Sequence, residues 1–408
     1  MTRKHPRTAA LVGILVVALL AAACGDDDDG GATDDTTEAP GGGSGSEASG
    51  EPIVVGAIME LSGPGAALGQ PEANALELFF DQLNEDGGID GRPVELRVED
   101  TESQPDRAVE LARELIDGGA VALLGPSLAA ECNAVRPVAV EEEVVHYCLS
   151  GAPFEYGDPY FFAAFEQPLR GLGGVPAAWI ESEGYRKVGC LATTDNSGDA
   201  YLNSLNAVAD DYDLEIVSEK FAAGDTSVET QLTNLEAAGV DVIYSCASGA
   251  NLVPVVQGVV ALGLDIPIFA GSGSASASVG AVIKDDLPES GVFTLGSWVV
   301  VPTDEIPDDV PNRDEILAFR DAYEAEFGDP PDNNAAGATD VATILVAALA
   351  EAPDGDGLAE ALIGTDHEGL LGRYVLTEED HRGMSSPGVV ARFNDEGGFS
   401  FVATVETA

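Results

Sequence analysis

The chain has 408 residues, of which 72 are Asp or Glu and 18 are Lys or Arg, giving a formal net charge of −54. An acidic excess of that size excludes nucleic acid as a partner, since a phosphate backbone would be repelled rather than neutralised. The acid is spread along the chain and reads as a solubilising surface whose self-repulsion salt screens; no acidic or basic substrate follows from it.

Arg3, Lys4 and Arg7 precede an apolar run from Ala9 to Ala23, too short for a comfortable membrane span, and Cys24 follows. That is the pattern of a secretory signal over residues 1–23. Leu20-Ala21-Ala22-Ala23-Cys24 resembles the lipobox of bacterial lipoproteins, with Ala21 where Leu is usual and Leu20 one place earlier. The resemblance implies cleavage before Cys24, lipid on its sulfur and new amino group, and anchorage at the outer face of the cytoplasmic membrane. Ordinary signal cleavage and an uncleaved anchor are the alternatives. Two acyl chains hold a protein durably, at about 0.8 kcal/mol per buried CH₂, where one does not. Loss of residues 1–23, with three basic residues and no acidic one, takes the charge from −54 to −57. From Cys24 to residue 52 the composition is Gly, Asp, Ser, Thr and Glu with almost nothing apolar, so a disordered acidic tether is expected. Asp26 to Asp29 lack the Gly-turned ligand spacing of a calcium loop.

Ile53 to Met59 is apolar enough for a strand covered on both faces, and Ser62-Gly63-Pro64-Gly65 punctuates it as a tight loop. Leu76, Phe79, Phe80 and Leu83 recur at helical spacing until Gly87-Gly88. Val94, Leu96 and Val98 alternate with Glu95 and Arg97 in a strand ending at Glu99-Asp100. Pro105 opens a helix whose Ala108, Leu111, Ala112, Leu115 and Ile116 form one stripe, closed by Gly118-Gly119. Val121 to Leu124 is a third strand, ending at Gly125-Pro126-Ser127. Right-handed crossovers make this βαβαβ unit parallel, and ligands of such sheets bind outside the carboxyl ends of the strands. Those ends are the loops at Leu61 to Gly69, Asp100 to Gln104 and Gly125 to Ala129. After Tyr160-Phe161-Phe162 the pattern restarts, with strands at Val188–Thr193, Glu215–Ser218, Val240–Tyr244 and Ile266–Ala270 and helices at Ala200–Asp210, Gln231–Ala238 and Val253–Leu262. The 53–408 region is too long for one core and suits two lobes.

The succession LSGPGAALGQ, GGIDGRPVELRVEDTESQPDRAVELARELI and LLGPS resembles the bacterial leucine/isoleucine/valine-binding proteins, the branched-chain amino acid branch of the type I periplasmic binding proteins. The resemblance continues through PVAVEEEVVHY, AAGVDVIYS, ALGLDIPIFAGSG and AYEAEFGDPPDNNAA, from Ile53 to Val402. It implies an α/β fold of two Rossmann-like lobes with parallel central sheets, residues 53–163 plus 294–368 forming lobe 1 and 164–293 plus 369–408 lobe 2. The chain would cross near Phe162 to Phe165, return near Val292 to Leu295 and cross again near Gly369 to Tyr374, making a three-crossover hinge. The implied function is extracytoplasmic capture of a small polar solute by a monomeric lipoprotein serving the permease and ATPase of an ABC importer. A ligand-sensing receptor of the same fold is the alternative.

Carried over by position, the resemblance places solute contacts at Ser62, Leu68, Leu128, Ala129, Ser150, Gly151 and Ala152 in the first lobe and at Ser197 and Asn251 in the second. Ala129 stands where amino-acid binders usually have a Ser for the ligand carboxylate, and Leu68 where an aromatic is common. Ser197-Gly198 replaces Tyr-Gly, and Asn251 replaces the acid that meets the ligand ammonium. Branched-chain amino acids are the solutes the resemblance implies, but burying an ammonium without a carboxylate costs roughly several kcal/mol, so Ser197 and Asn251 raise amides, ureas, short carboxylates and aromatic acids beside them, unless Asp195 or Asp199 supplies the charge.

Cys132, early in a helix, and Cys148, on the next strand, are expected to bridge in a compartment that permits disulfides. Cys190 and Cys246 fall on strands that should neighbour one another but at offset positions, which leaves open a second bridge or a pair of buried thiols. No zinc-ligand spacing occurs, no cofactor is implied, and His146 in an apolar strand reads as structural. Gly125-Pro126-Ser127-Leu128-Ala129 resembles a nucleophile elbow lacking its second Gly and any triad histidine, so serine hydrolysis is a remote alternative. Neither a Walker GKS/GKT nor, beyond the signal, an apolar run long enough to span a bilayer is present, so the chain itself is neither transporter ATPase nor permease.

Overall fold

The apolar run Ile53–Met59 forms strand β1, with every residue but Val54 fully buried. It lies in a five-stranded parallel sheet with β2 (Val94–Asp100), β3 (Ala122–Leu124), β4 (Val145–Cys148) and β5 (Phe161–Ala163), in the order β2-β1-β3-β4-β5. The computed structural model describes residues 50–407 other than 152–153, 155–156 and 167–168. The expected signal, Cys24, the tether to residue 49 and Ala152 lie outside the described residues.

Helices α1 (Ala66–Glu85), α2 (Pro105–Asp117) and α3 (Ala129–Glu141) connect the first strands. Ala108, Leu111, Ala112 and Leu115 of α2 are buried on one stripe against Ile58, Val135 and Val138, which covers one face of the sheet. Leu76 and Phe80 of α1 bury against the other face.

The second lobe repeats the plan. Helix α4 (Val175–Ser182) leads into β6 (Lys187–Thr193), α5 (Asn196–Val208), β7 (Glu215–Phe221), α6 (Glu229–Ala238), β8 (Val242–Cys246), α7 (Leu252–Leu262), β9 (Ile268–Ala270), α8 (Ala277–Ile283) and β10 (Val292–Leu295). These strands are parallel to their neighbours. The chain then returns to the first lobe, where α9 (Arg313–Phe327), α10 (Asn333–Glu351), α11 (Leu358–Leu362) and a small antiparallel sheet of β11 (Asp366–Glu368), β12 (Arg373–Val375) and β13 (Met384–Ser385) follow. Finally β14 (Val389–Phe393) and β15 (Phe399–Thr404) add an antiparallel edge to the second sheet, whose order is β15-β14-β10-β9-β8-β6-β7.

The first change of lobe falls between Ala164 and Val175, the second between Leu295 and Trp298. The third comes later than the expected Gly369 to Tyr374. Leu370, Leu371, Tyr374, Leu376 and Met384 all pack in the first-lobe core, so residues 369–385 belong to lobe 1 and the chain crosses between Ser385 and Val390. The cause is Asp340 of α10, fully buried, whose carboxylate accepts the Leu370 N–H at 2.6 Å, the Leu371 N–H at 3.0 Å and the Tyr374 hydroxyl at 3.2 Å.

The crossovers lie side by side. Glu166 accepts the Ser386 N–H at 2.8 Å and the Ser386 hydroxyl at 2.9 Å and pairs with Arg170. Arg170 donates in turn to Thr407 Oγ1 at 3.0 Å and to the Ser386 carbonyl at 3.0 Å. Arg382 donates to the Glu166 carbonyl at 3.1 Å, and the Gly296 N–H donates to the Val389 carbonyl at 2.8 Å, which ties the second crossover to the third.

Cys132 and Cys148 are bonded, joining α3 to β4 with Cα atoms 5.9 Å apart. Cys190 and Cys246 are bonded as well, with Cα atoms 5.9 Å apart, which settles the alternative the sequence leaves open. Their offset is real, because Cys190 lies opposite Tyr244 and Cys246 opposite Ala192. A shift of two residues keeps both side chains on one face of the sheet, so the bridge runs diagonally.

Candidate ligand cleft

Because the strands of each lobe run parallel, their carboxyl ends gather the loops that can line a cleft. In the first lobe, Asp100 at the end of β2 accepts from the Leu61 N–H (3.0 Å), the Ser62 hydroxyl (2.7 Å) and N–H (3.2 Å), and the Glu102 N–H (2.8 Å). Partial burial works against its charge, but these donors hold its carboxyl below the usual aspartate range. Ser103 Oγ donates to the Ser62 carbonyl at 2.8 Å and accepts the Gly65 N–H at 3.0 Å, so the loops after β1 and β2 are stitched together. Ser62 is exposed but committed to Asp100. Leu68 is half-buried within α1, which begins at Ala66 and shortens the expected loop.

The loop after β3 turns at Gly125, whose φ is +77° and where a Cβ would stand 2.4 Å from the Ile58 carbonyl oxygen, so only glycine fits. The following Gly125-Pro126 bond is cis. Leu128 occupies the N-cap of α3 without a side-chain cap, and Leu128 and Ala129 are half-buried. The Ser127 and Leu128 N–H groups donate instead to Glu60, and the Ser127 hydroxyl to Glu72. Ser150 is buried after β4 and Gly151 is exposed.

In the second lobe, Ser197 shares a hydroxyl–hydroxyl hydrogen bond of 2.9 Å with Ser248. Asn251 does not present a free amide. Its Oδ1 accepts the Gly224 N–H at 2.9 Å and its Nδ2 donates to the Ser248 carbonyl at 2.9 Å. Asp195 caps α5, accepting from the Gly198 N–H (2.9 Å) and the Thr193 hydroxyl (2.8 Å), and Asp199 pairs with Lys220 at 2.6 Å. Tyr201 Oη accepts the Gly273 N–H at 3.1 Å and so fixes the loop after β9. Asp195 and Asp199 at these strand ends are therefore both engaged by donors of their own chain.

A family model described as periplasmic binding protein matches residues 52–398. The chain belongs to the periplasmic binding protein family. It is 25% identical over 203 residues to the Leu/Ile/Val-binding protein BraC3 of Rhizobium johnstonii, a match spanning 47% of this chain and only about half, 53%, of that protein. It is 21% identical over 325 residues to a leucine-, isoleucine-, valine-, threonine- and alanine-binding protein of Pseudomonas aeruginosa, covering 78% of this chain and 84% of the relative. In fold it is similar to the branched-chain amino acid transporter substrate-binding protein LivJ of Streptococcus pneumoniae, solved in complex with isoleucine. That likeness has a TM-score of 0.74 at 22% identity and covers 88% of this chain and 100% of the other. The fold expected from the resemblance, type I with two α/β lobes, is the one observed.

Two readings of this periplasmic binding protein's polar residues are thereby resolved. His146 is wholly buried, with Nε2 2.7 Å from the Gly125 carbonyl oxygen, and burial pushes its pKa down to about 4, so it is a neutral structural imidazole. Ser127 has a carboxyl partner in Glu72 rather than a histidine, so the elbow-like turn carries no Ser–His pair.

Sequence reasoning missed Glu60, Glu72, Glu131, Ser248 and Tyr201. Glu72 and Glu131 sit near helix starts, where acids favour the helix dipole and read as solvated. One sequence carries no signal that they converge with Glu60. Because both ends of the Asn251 amide bind loop backbone, Asn251→Ala is expected to lower stability by about 1–2 kcal/mol, read as a reduced urea midpoint at unchanged m-value.

Proposed function

We propose that this periplasmic binding protein is a lipid-anchored extracytoplasmic protein that captures a small polar organic solute and presents it to the permease of an ABC importer, whose ATPase powers uptake. The observation that supports this best is the pair of sheets, parallel but for the antiparallel β14–β15 edge, whose chain passes between lobes at three adjacent crossovers. Solute would bias the open–closed equilibrium by its extra affinity for the closed state, and a shift from 1:99 to 99:1 takes about 5.5 kcal/mol.

The solute would meet backbone N–H groups near Ala129 and hydroxyls at Ser150, Ser197 and Ser248. Its class follows from how the nearby carboxylates are used. Asp100, Asp195 and Asp199 are each engaged by donors of the chain itself, which favours a neutral amide or a short carboxylate over an α-amino acid.

Thermal shift of the chain against branched-chain amino acids, amides and short carboxylates tests this, since solute at 100 times its Kd adds about 2.7 kcal/mol of stability. Shifts with amides or amine-free acids support the reading. Shifts only with leucine, isoleucine or valine would restore an ammonium site and overturn the solute class. No shift with any small solute, together with failure to stimulate a co-reconstituted permease and ATPase, would sink the importer role itself.

A further inference from the structure

Glu60 closes β1, Glu72 lies in the second turn of α1 and Glu131 in the first turn of α3, and all three are 0% exposed. Glu60 accepts the Ser127 N–H at 3.1 Å and the Leu128 N–H at 2.8 Å. Glu72 Oε2 accepts the Ser127 hydroxyl. The Glu131 carboxyl faces Glu60 and Thr101 without closing a well-formed hydrogen bond to either. Glu72 Oε1 and both Glu131 oxygens are buried with no hydrogen-bond partner among the described residues. The other charged groups facing this cluster are Asp100 from the end of β2 and Asp332 from the N-cap of α10, both acids. Among the described residues the groups that act most on it are acids, hydroxyls and backbone N–H groups, so three carboxyls share one buried site.

We propose that Glu60, Glu72 and Glu131 are positioning residues for the cleft wall, which share protons and hold Ser127 and Leu128 in place only while the cluster stays protonated. The proposal rests on reading the strand-end loops as the ligand cleft. A neutral Glu131 can donate to Glu60, leaving the Glu60 carboxylate to accept from Ser127 and Leu128. Ionised Glu131 places a second negative charge against that carboxylate and pulls on the group that holds the wall. The pH range follows from burial, which drives Glu72 well above the ordinary glutamate range and, with Glu60 beside it, raises Glu131 to about 7.

The test is hydrogen–deuterium exchange of the full chain at about pH 5.5 and about pH 8.5, corrected for the intrinsic pH dependence of exchange. Protection across residues 125–131 is expected to fall about tenfold at the higher pH, while β8 in the second lobe keeps its protection. Glu131→Gln, which can donate its amide without ionising, is expected to retain the protection at both values. Equal protection of 125–131 at both values, equal loss in Glu131→Gln, or a parallel loss in β8 would each overturn the proposal. No solute enters the experiment, so its outcome is independent of the importer reading.

Discussion

Replacing Asp340 by alanine is expected to destabilise the protein by about 3–5 kcal/mol, because two buried N–H groups and a buried phenol lose the carboxylate that accepts them, at roughly 1–3 kcal/mol each. The loss should be local to the first lobe, since Leu370, Leu371 and Tyr374 carry the small sheet of β11, β12 and β13 onto α10. Gly369 packs so closely that a Cβ there would stand 2.6 Å from the Asp340 carboxyl carbon, which leaves the turn no other path. For a lobe near 200 residues the change corresponds to roughly 6–20 °C in Tm. Asp340→Asn keeps one acceptor and should recover part of the loss. Calorimetry showing a fall of less than about 1 kcal/mol in Asp340→Ala would mean that the hairpin is held by its apolar contacts alone.

The first lobe should become more stable as pH is lowered from about 8 toward about 5. Burial raises Glu131 to about 7 from an ordinary 4.5 and Asp340 to about 7 from an ordinary 3.8, and it pushes Glu72 well up in the same direction. A group whose folded pKa is raised contributes stability fully below its unfolded value and loses it as pH climbs through the folded value. Between the two, the native state binds more protons than the unfolded chain, so stability falls with rising pH. Asp100 and Asp241 act oppositely. Asp241 is held below the usual range by the Arg186 and Lys187 N–H groups, and the stability from both is lost only as pH drops below the ordinary aspartate value of 3.8. The optimum is therefore expected at about pH 4–5. The acidic surface pushes in the same direction through self-repulsion, but salt screens that part and leaves the buried part. Melting curves in high salt should keep the slope in the native chain and lose part of it in Glu131→Gln. A flat profile in high salt would assign the whole dependence to the surface.

Much of the fold was legible before any coordinates. Ile53–Met59 is a strand over the whole expected run, and the Ala108, Leu111, Ala112 and Leu115 stripe is the buried face of α2. Both follow from apolar periodicity, which reports how one segment meets a core. The candidate cleft was legible only as a set of loops. Ser62, Leu128, Ala129, Ser150 and Ser197 do lie at strand ends, but what their neighbours do with them was not. Asn251, a ligand contact by position, holds the Gly224 N–H and the Ser248 carbonyl, partners that its place in the sequence does not show.

The sequence by itself determined the two-lobed parallel architecture and the absence of a basic surface, because alternation, helical stripes and composition are local quantities. Tertiary structure alone decided the third change of lobe after Ser385, the diagonal Cys190–Cys246 bridge and the convergence of Glu60, Glu72 and Glu131 beneath Ser127. Each depends on residues far apart in the chain meeting in a dry interior, where one carboxylate can anchor a hairpin and three cannot all stay charged.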